Sequence, residues 1–184
     1  MNRLTFLKTV LGGGLLPATV LAHSTNADLP TEAQRVRQEV LDAWIMSEKM
    51  TLITARQMPA DSFAFRYTPE AMTYAEQWRH CCLFTTSLLA GRLGVENPYE
   101  TRELPKTMTK EQVLDELKRM YVFVRQTVET VPDTKLLELD DYMGGKIPNW
   151  RLLYVLENHI IHHRGQCTVY LRLNGITPEG YLGW

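Results

Sequence analysis

Residues 31–58 run between Pro30 and Pro59 without a glycine or a proline, and they open on Thr31 with Gln34 three positions later. A threonine whose hydroxyl meets the third helical amide, answered by a glutamine reaching back, is a capping box. The segment therefore reads as one long helix that Pro59 stops. The same punctuation recurs along the chain. Thr68 before Pro69 supplies an N-cap with proline at the first helical position, predicting a second helix that continues to Gly91 or Gly94. Thr109 with Gln112 forms another capping box, and Val113, Leu117, Met120, Tyr121, Val124 and Val128 follow at three-and-four spacing up to Pro132. Asn149 after Pro148 caps a fourth helix from about Trp150 to Asn174, closed by Gly175 and by Pro178 beyond it.

No repeat, low-complexity tract or sustained strand-like alternation interrupts these segments. Each apolar stripe is buried only if the others surround it, so the expected class is all-α and the expected architecture a four-helix bundle. The stretch from Pro132 to Asn149, about 18 residues, is longer than an ordinary helix turn and is expected to cross one end of the bundle.

The 184 residues, 45% of them hydrophobic, suffice for one domain with a real core. A net charge of −1 with no Lys/Arg cluster argues against nucleic acid as a partner. Residues 1–22, "MNRLTFLKTVLGGGLLPATVLA", carry Arg3 and Lys8 ahead of an uncharged run from Thr9 to Leu21, with Val20 and Ala22 at the spacing of a signal-peptidase site. We read 1–22 as an export signal and 23–184 as the functional domain, in the periplasm or otherwise exported. The run is too short and too broken to span a bilayer as a mature helix, so a membrane is a partner only if the signal stays attached. Cleavage would remove both cations and no anion, taking the net charge from −1 to −3. "RLTFLK" is similar to a twin-arginine signal with Leu4 where the second arginine belongs. The three cysteines, Cys81, Cys82 and Cys167, do not make a disulfide framework.

Three of the five histidines lie in "ENHIIHHRGQ". At about 100° per residue His159 and His163 are about 40° apart on the fourth helix, one turn apart. Their stripe includes Leu152, Leu156, Gln166, Cys167 and Tyr170, so it faces the core, where two imidazoles need polar partners or an ion. His80 on the second helix is the only other histidine within the bundle. Three neutral imidazoles with a free position suit zinc, and nickel, iron or copper nearly as well. His159-Ile160-Ile161-His162 lacks the glutamate of His-Glu-x-x-His peptidases, and no Glu-x-x-His of the carboxylate-bridged di-iron bundles occurs.

These residues resemble the DinB-like (DfsB-like) metal-binding four-helix bundles. That family's approximate motif, His-x-x-His-His-Arg-Gly-Gln with a Leu-Arg-x-x-Gly-x-x-Pro tail, is matched at His159, His162, His163, Arg164, Gly165, Gln166, Leu171, Arg172, Gly175 and Pro178. The resemblance covers the chain from the first helix to the tail. It implies an up-down-down-up bundle, His80, His159 and His163 as ligands with His162 close by, and zinc or nickel as the ion. It also implies a small-molecule substrate, since members with an assigned activity are often thiol-dependent transferases or isomerases; a non-catalytic metal-binding or stress-protective protein is the alternative. Two departures stand out: the export signal, because thiols are abundant in the cytoplasm, and Cys167 where an aliphatic residue is usual. Cys167 either supplies a fourth ligand or packs. Gly165 is expected to let another helix approach closely. Glu76, one turn before His80, either accepts a hydrogen bond from a ligating residue or acts as a base, or is a solvated residue. Arg164 either meets an acid or anionic substrate or is solvated, and Tyr170 and Trp78 read as core. A homodimer through an exposed helix face is compatible with the sequence.

Overall fold

The computed structural model describes residues 29–180, and the segment read as an export signal lies outside them. They form a mostly helical domain with one small antiparallel sheet. The elements are α1 (Glu32–Gln57), α2 (Tyr74–Leu93), α3 (Lys110–Thr130), α4 (Asp133–Leu137), β1 (Leu139–Tyr142), β2 (Gly145–Pro148) and α5 (Asn149–Leu173), with a single 3₁₀ turn at Ala60–Ser62.

Two of the expected capping boxes start helices where the sequence places them. The Thr31 amide donates to Gln34 Oε1 at 2.8 Å and the Thr109 amide to Gln112 Oε1 at 2.9 Å, each pair closed by the reciprocal bond. The second helix begins later than Thr68-Pro69 predicts. Thr73 and Glu76 form a complete box, with the Thr73 amide 2.7 Å from Glu76 Oε2, whereas Thr68 accepts a turn bond from the Ala71 amide. Two further α2 amides, of Tyr74 and Ala75, donate to Phe65 and Phe63 carbonyls, so the preceding loop satisfies donors that a helix start leaves orphaned. Pro148, not Asn149, is the N-cap of α5; the Asn149 side chain instead donates to the Lys135 carbonyl at 2.8 Å. At the other end Asn174 and Gly175, the latter at φ 74°, close the helix.

The long connection holds α4 and the β1–β2 hairpin, which the sequence reading does not anticipate. Leu139 pairs with Pro148 and Tyr142 with Gly145 around Met143 and Gly144, both at positive φ, the signature of a two-residue hairpin turn. Strands of four residues carry too little alternation to register as a pattern. Arg37 of α1 binds the carbonyls of Val128 and Val131 and the Asp133 carboxylate, while Arg92 near the end of α2 binds the Asp141 carbonyl and the Asp140 carboxylate. The connection therefore runs from the α1–α3 side of one end to the end of α2.

The four long helices enclose one core. Helix α1 packs on α3 and α5, and α2 packs on the same two. Arg37 meeting Val131 while Lys110 meets Arg56 makes α1 and α3 antiparallel; Ser47 and Thr51 reach Tyr121 midway. Gln77 meets Tyr170 while His80 meets His159, so α2 and α5 are antiparallel too. Trp44, Trp78, Tyr74, Tyr121 and Tyr170 are fully buried among Leu117, Leu153, Leu156 and Ile160.

Burial of Leu153 at 0% exposure makes Leu153→Ala the costlier of two changes, about 2–5 kcal/mol with its cavity. Thr73→Ala, which removes only the cap of α2, should cost about 1 kcal/mol. Urea unfolding checks both: a lower midpoint at unchanged slope is expected in each, and equal midpoints for the two variants would contradict the assignment.

Candidate metal centre

Helices α2 and α5 bring His80, His159 and His163 together, one ligand atom of each lying within 4.8 Å of the others. Nε2 of His159 is 3.1 Å from Nε2 of His80 and 3.1 Å from Nε2 of His163. Imidazole nitrogens on one zinc at about 2.0–2.1 Å stand about 3.3 Å apart at tetrahedral angles and about 2.9 Å apart at right angles. Both of these His159 separations fall between those two values.

Nδ1 of His163 faces Gln77 Oε1, an atom that only accepts, so the hydrogen-bond network assigns the proton to Nδ1 and leaves a lone pair on Nε2. Gln77 is held in turn: its Nε2 donates to the Tyr170 hydroxyl at 3.4 Å, and that hydroxyl donates to the Met72 carbonyl at 2.5 Å. The ring of His159 stacks on Phe84 with centroids 4.1 Å apart, and its Nδ1 is buried without a partner among the described residues. Hydrogen bonds among the three Nε2 atoms satisfy the cluster only in part, because His163 Nε2 has no proton to give. A cation would meet all three lone pairs at once.

Burial makes protonation of these rings unfavourable. It is the first cause holding His159 and His163 down at about 4, with the neighbouring histidines adding like-charge repulsion. His80 is lowered by the same burial. The imidazoles are thus neutral near pH 7, the protonation state that ligation needs.

His162 is exposed, and its Nε2 accepts from Gln166 Nε2 at 2.7 Å. Cys167 is buried outside the histidine group, its thiol pushed up by burial and by nearby Cys81, so it packs. Glu76 is the capping partner of Thr73, and Tyr170 and Trp78 are core residues. Arg164 is half-buried and donates to Thr51 Oγ1 at 3.2 Å, with no acid bridged to it among the described residues. No helix crosses closely over Gly165, where an added Cβ would meet nothing within 4 Å; the expectation of a close approach is wrong. Gln77 and Phe84 escaped the sequence reading. The available signal for Gln77 was its place three residues before His80, on the same face of α2.

The pH dependence of the metal-free protein follows from the lowered histidines. An unfolded histidine titrates near 6.5, so between about 6.5 and 4 the unfolded chain binds more protons than the folded one. Stability contributed by the neutral rings should therefore be lost as pH falls through that window. Thermal unfolding in chelator from pH 7.5 to 4 should show a steeper decline for the wild type than for His159→Ala/His163→Ala. Parallel profiles would mean that the rings titrate as exposed groups.

The DinB family model matches residues 26–182. YrdA of Bacillus subtilis (strain 168) is 39% identical over 61 residues, a stretch covering 33% of this chain and 36% of the relative's length. Among solved structures, a DinB-like protein from Bacillus cereus superposes with a TM-score of 0.67 at 24% identity, over 79% of this chain and 97% of that one. The DinB-like protein YjoA of Bacillus subtilis gives 0.62 at 19% identity, over 78% and 96%. At such identities the superpositions speak for the fold, while the family match spans all of the described residues: this chain belongs to the DinB family.

Proposed function

We propose that the protein binds one divalent metal ion through His80, His159 and His163, within an up-down-down-up four-helix bundle. The observation that carries the reading is that Nε2 of neutral His159 stands 3.1 Å from Nε2 of both His80 and His163, spacings that ligands of one ion adopt. The antiparallel α1–α3 and α2–α5 pairs support the topology. An all-imidazole donor set suits zinc or nickel first and iron next. When bound, such an ion supplies Lewis-acid polarisation of an oxygen or sulfur donor that reaches its free position.

The chain's own residues hold and orient the site. Gln77 fixes the His163 ring by accepting from Nδ1, and Phe84 covers His159 and limits water on that side. His80 also borders a cleft with Arg66, Glu76 and Arg79, through which a small substrate can approach. On this reading the protein is a metal-dependent transferase, with a thiol as one class of co-substrate, or a hydrolase. A non-catalytic metal-binding protein is the second reading, and one observation favours it: Glu76 and Tyr170, the nearby acid–base residues, are both engaged in structural hydrogen bonds. We further propose export, because residues 1–22 have the charge and apolar pattern of a signal.

Elemental analysis of untagged protein purified without chelator should find about one zinc, nickel or iron per chain, and His159→Ala/His163→Ala should lose it. Wild-type protein that takes up no stoichiometric metal even on addition would leave the histidines structural. For export, the mass of protein recovered from the cell envelope of its host should lack residues 1–22; a full-length cytoplasmic product would refute cleavage.

A further inference from the structure

On the side of α5 away from α2, the gap between α1 and α5 holds a cavity of about 300 Å³. It is at the lower end of the range for small-molecule sites. Its walls are Met50 and Ile53 from α1 and Ile161 from α5, and its end is closed by the tail at Pro178–Gly180. That tail is strapped down by one side chain: Gln57 donates from Nε2 to the Thr177 carbonyl at 3.3 Å and accepts at Oε1 from the Glu179 amide at 3.1 Å.

Two cations line this apolar space, Arg164 and Arg172, against one carboxylate, Glu179. Neither arginine makes an ion pair among the described residues. Arg164 is half-buried and uses one nitrogen on Thr51, leaving most of its donors without a protein partner there. A partly desolvated guanidinium with spare donors is a strong match for a carboxylate. Gly165 supplies an independent observation. A glycine inside a helix is destabilising by roughly 0.5–1 kcal/mol relative to alanine, and no close packing explains this one, since a Cβ would enter empty space on the cavity wall. Its missing side chain keeps the cavity open.

We propose that this cavity is a second small-molecule site, which takes an amphipathic carboxylate with its head on Arg164 and its apolar body between Met50, Ile53 and Ile161. It does not rest on the histidine centre. His163 and Gly165 are two residues apart, about 200° around the helix, so the two sites lie on different faces of α5.

Titration calorimetry of the full chain with octanoate tests this, with octylammonium as a control of the same tail and opposite charge. Octanoate should bind and octylammonium should not. Arg164→Gln, which removes the charge, and Gly165→Leu, whose Cβ meets nothing within 4 Å and whose side chain takes up the cavity's space, should each weaken binding at least about tenfold, or 1.4 kcal/mol. Binding should persist in His159→Ala/His163→Ala; its loss there would show the carboxylate sitting on the metal centre and would overturn the proposal. No binding to the wild type, equal binding of octylammonium, or full binding by both cavity variants would also overturn it. So would a dimer, seen by light scattering, that Gly165→Leu breaks while octanoate fails to bind.

Discussion

The antiparallel contact of α2 with α5 is the constraint on which the rest depends. α2 turns His80, and α5 turns His159 and His163, toward one another, and the three rings meet only at one axial register. A slip of one residue would move a ring by about 1.5 Å along the axis and about 100° around it, enough to separate the nitrogens entirely. Several hydrogen bonds fix that register. Gln77 reaches both His163 and Tyr170, and Tyr170 reaches the Met72 carbonyl ahead of α2. The same contact carries the Tyr74–Trp78 and Tyr74–Tyr170 ring pairs, so apolar packing and polar register reinforce one another.

Burying the imidazoles against Phe84 penalises their charged form, which is why their protonation is depressed, and it takes polar nitrogens out of water at a cost. The surrounding layers offset this. Leu153, Leu156 and Ile160 are fully buried along α5, and Leu117, Met120 and Val124 along α3.

Much of this was legible in the sequence because helix starts and inward stripes are local signals. Thr31, Thr109 and the stripe on α3 specify their helices through contacts three or four residues away. His159 and His163 are legible for the same reason, being one turn apart on one helix. What was missed depends on distant partners or on competition between signals. Thr68-Pro69 is a valid start, yet Thr73 and Glu76 form a fuller cap, and the loop carbonyls of Phe63 and Phe65 favour the later start. The hairpin needs Arg92 from α2 to hold it, and nothing near residue 140 announces that arginine. Gln77 has no recognisable role until α5 places His163 opposite it. At Gly165 the sequence alone cannot separate two uses, because a backbone that leaves space and one that admits a neighbour look identical in one dimension.

The distribution of acid–base groups bears on where specificity can arise. Glu76 is engaged by the Thr73 amide and lies 4.0 Å from Arg66, and these interactions hold its carboxyl below the usual range. Tyr170 is raised by burial, and its hydroxyl proton is directed at the Met72 carbonyl. Neither is arranged to take a proton near neutral pH. On the proposed reading, reactivity at the histidines would come from an ion held there and from the incoming ligand, while the protein chooses among ligands by access. That access is set by the 63–73 loop, whose Arg66, Glu70 and Met72 form one wall of the cleft beside His80. The loop's start is anchored by Phe63 and Phe65 and its end by the Thr73 cap, so substitutions between those anchors can reshape the entrance without moving the helices that hold the rings.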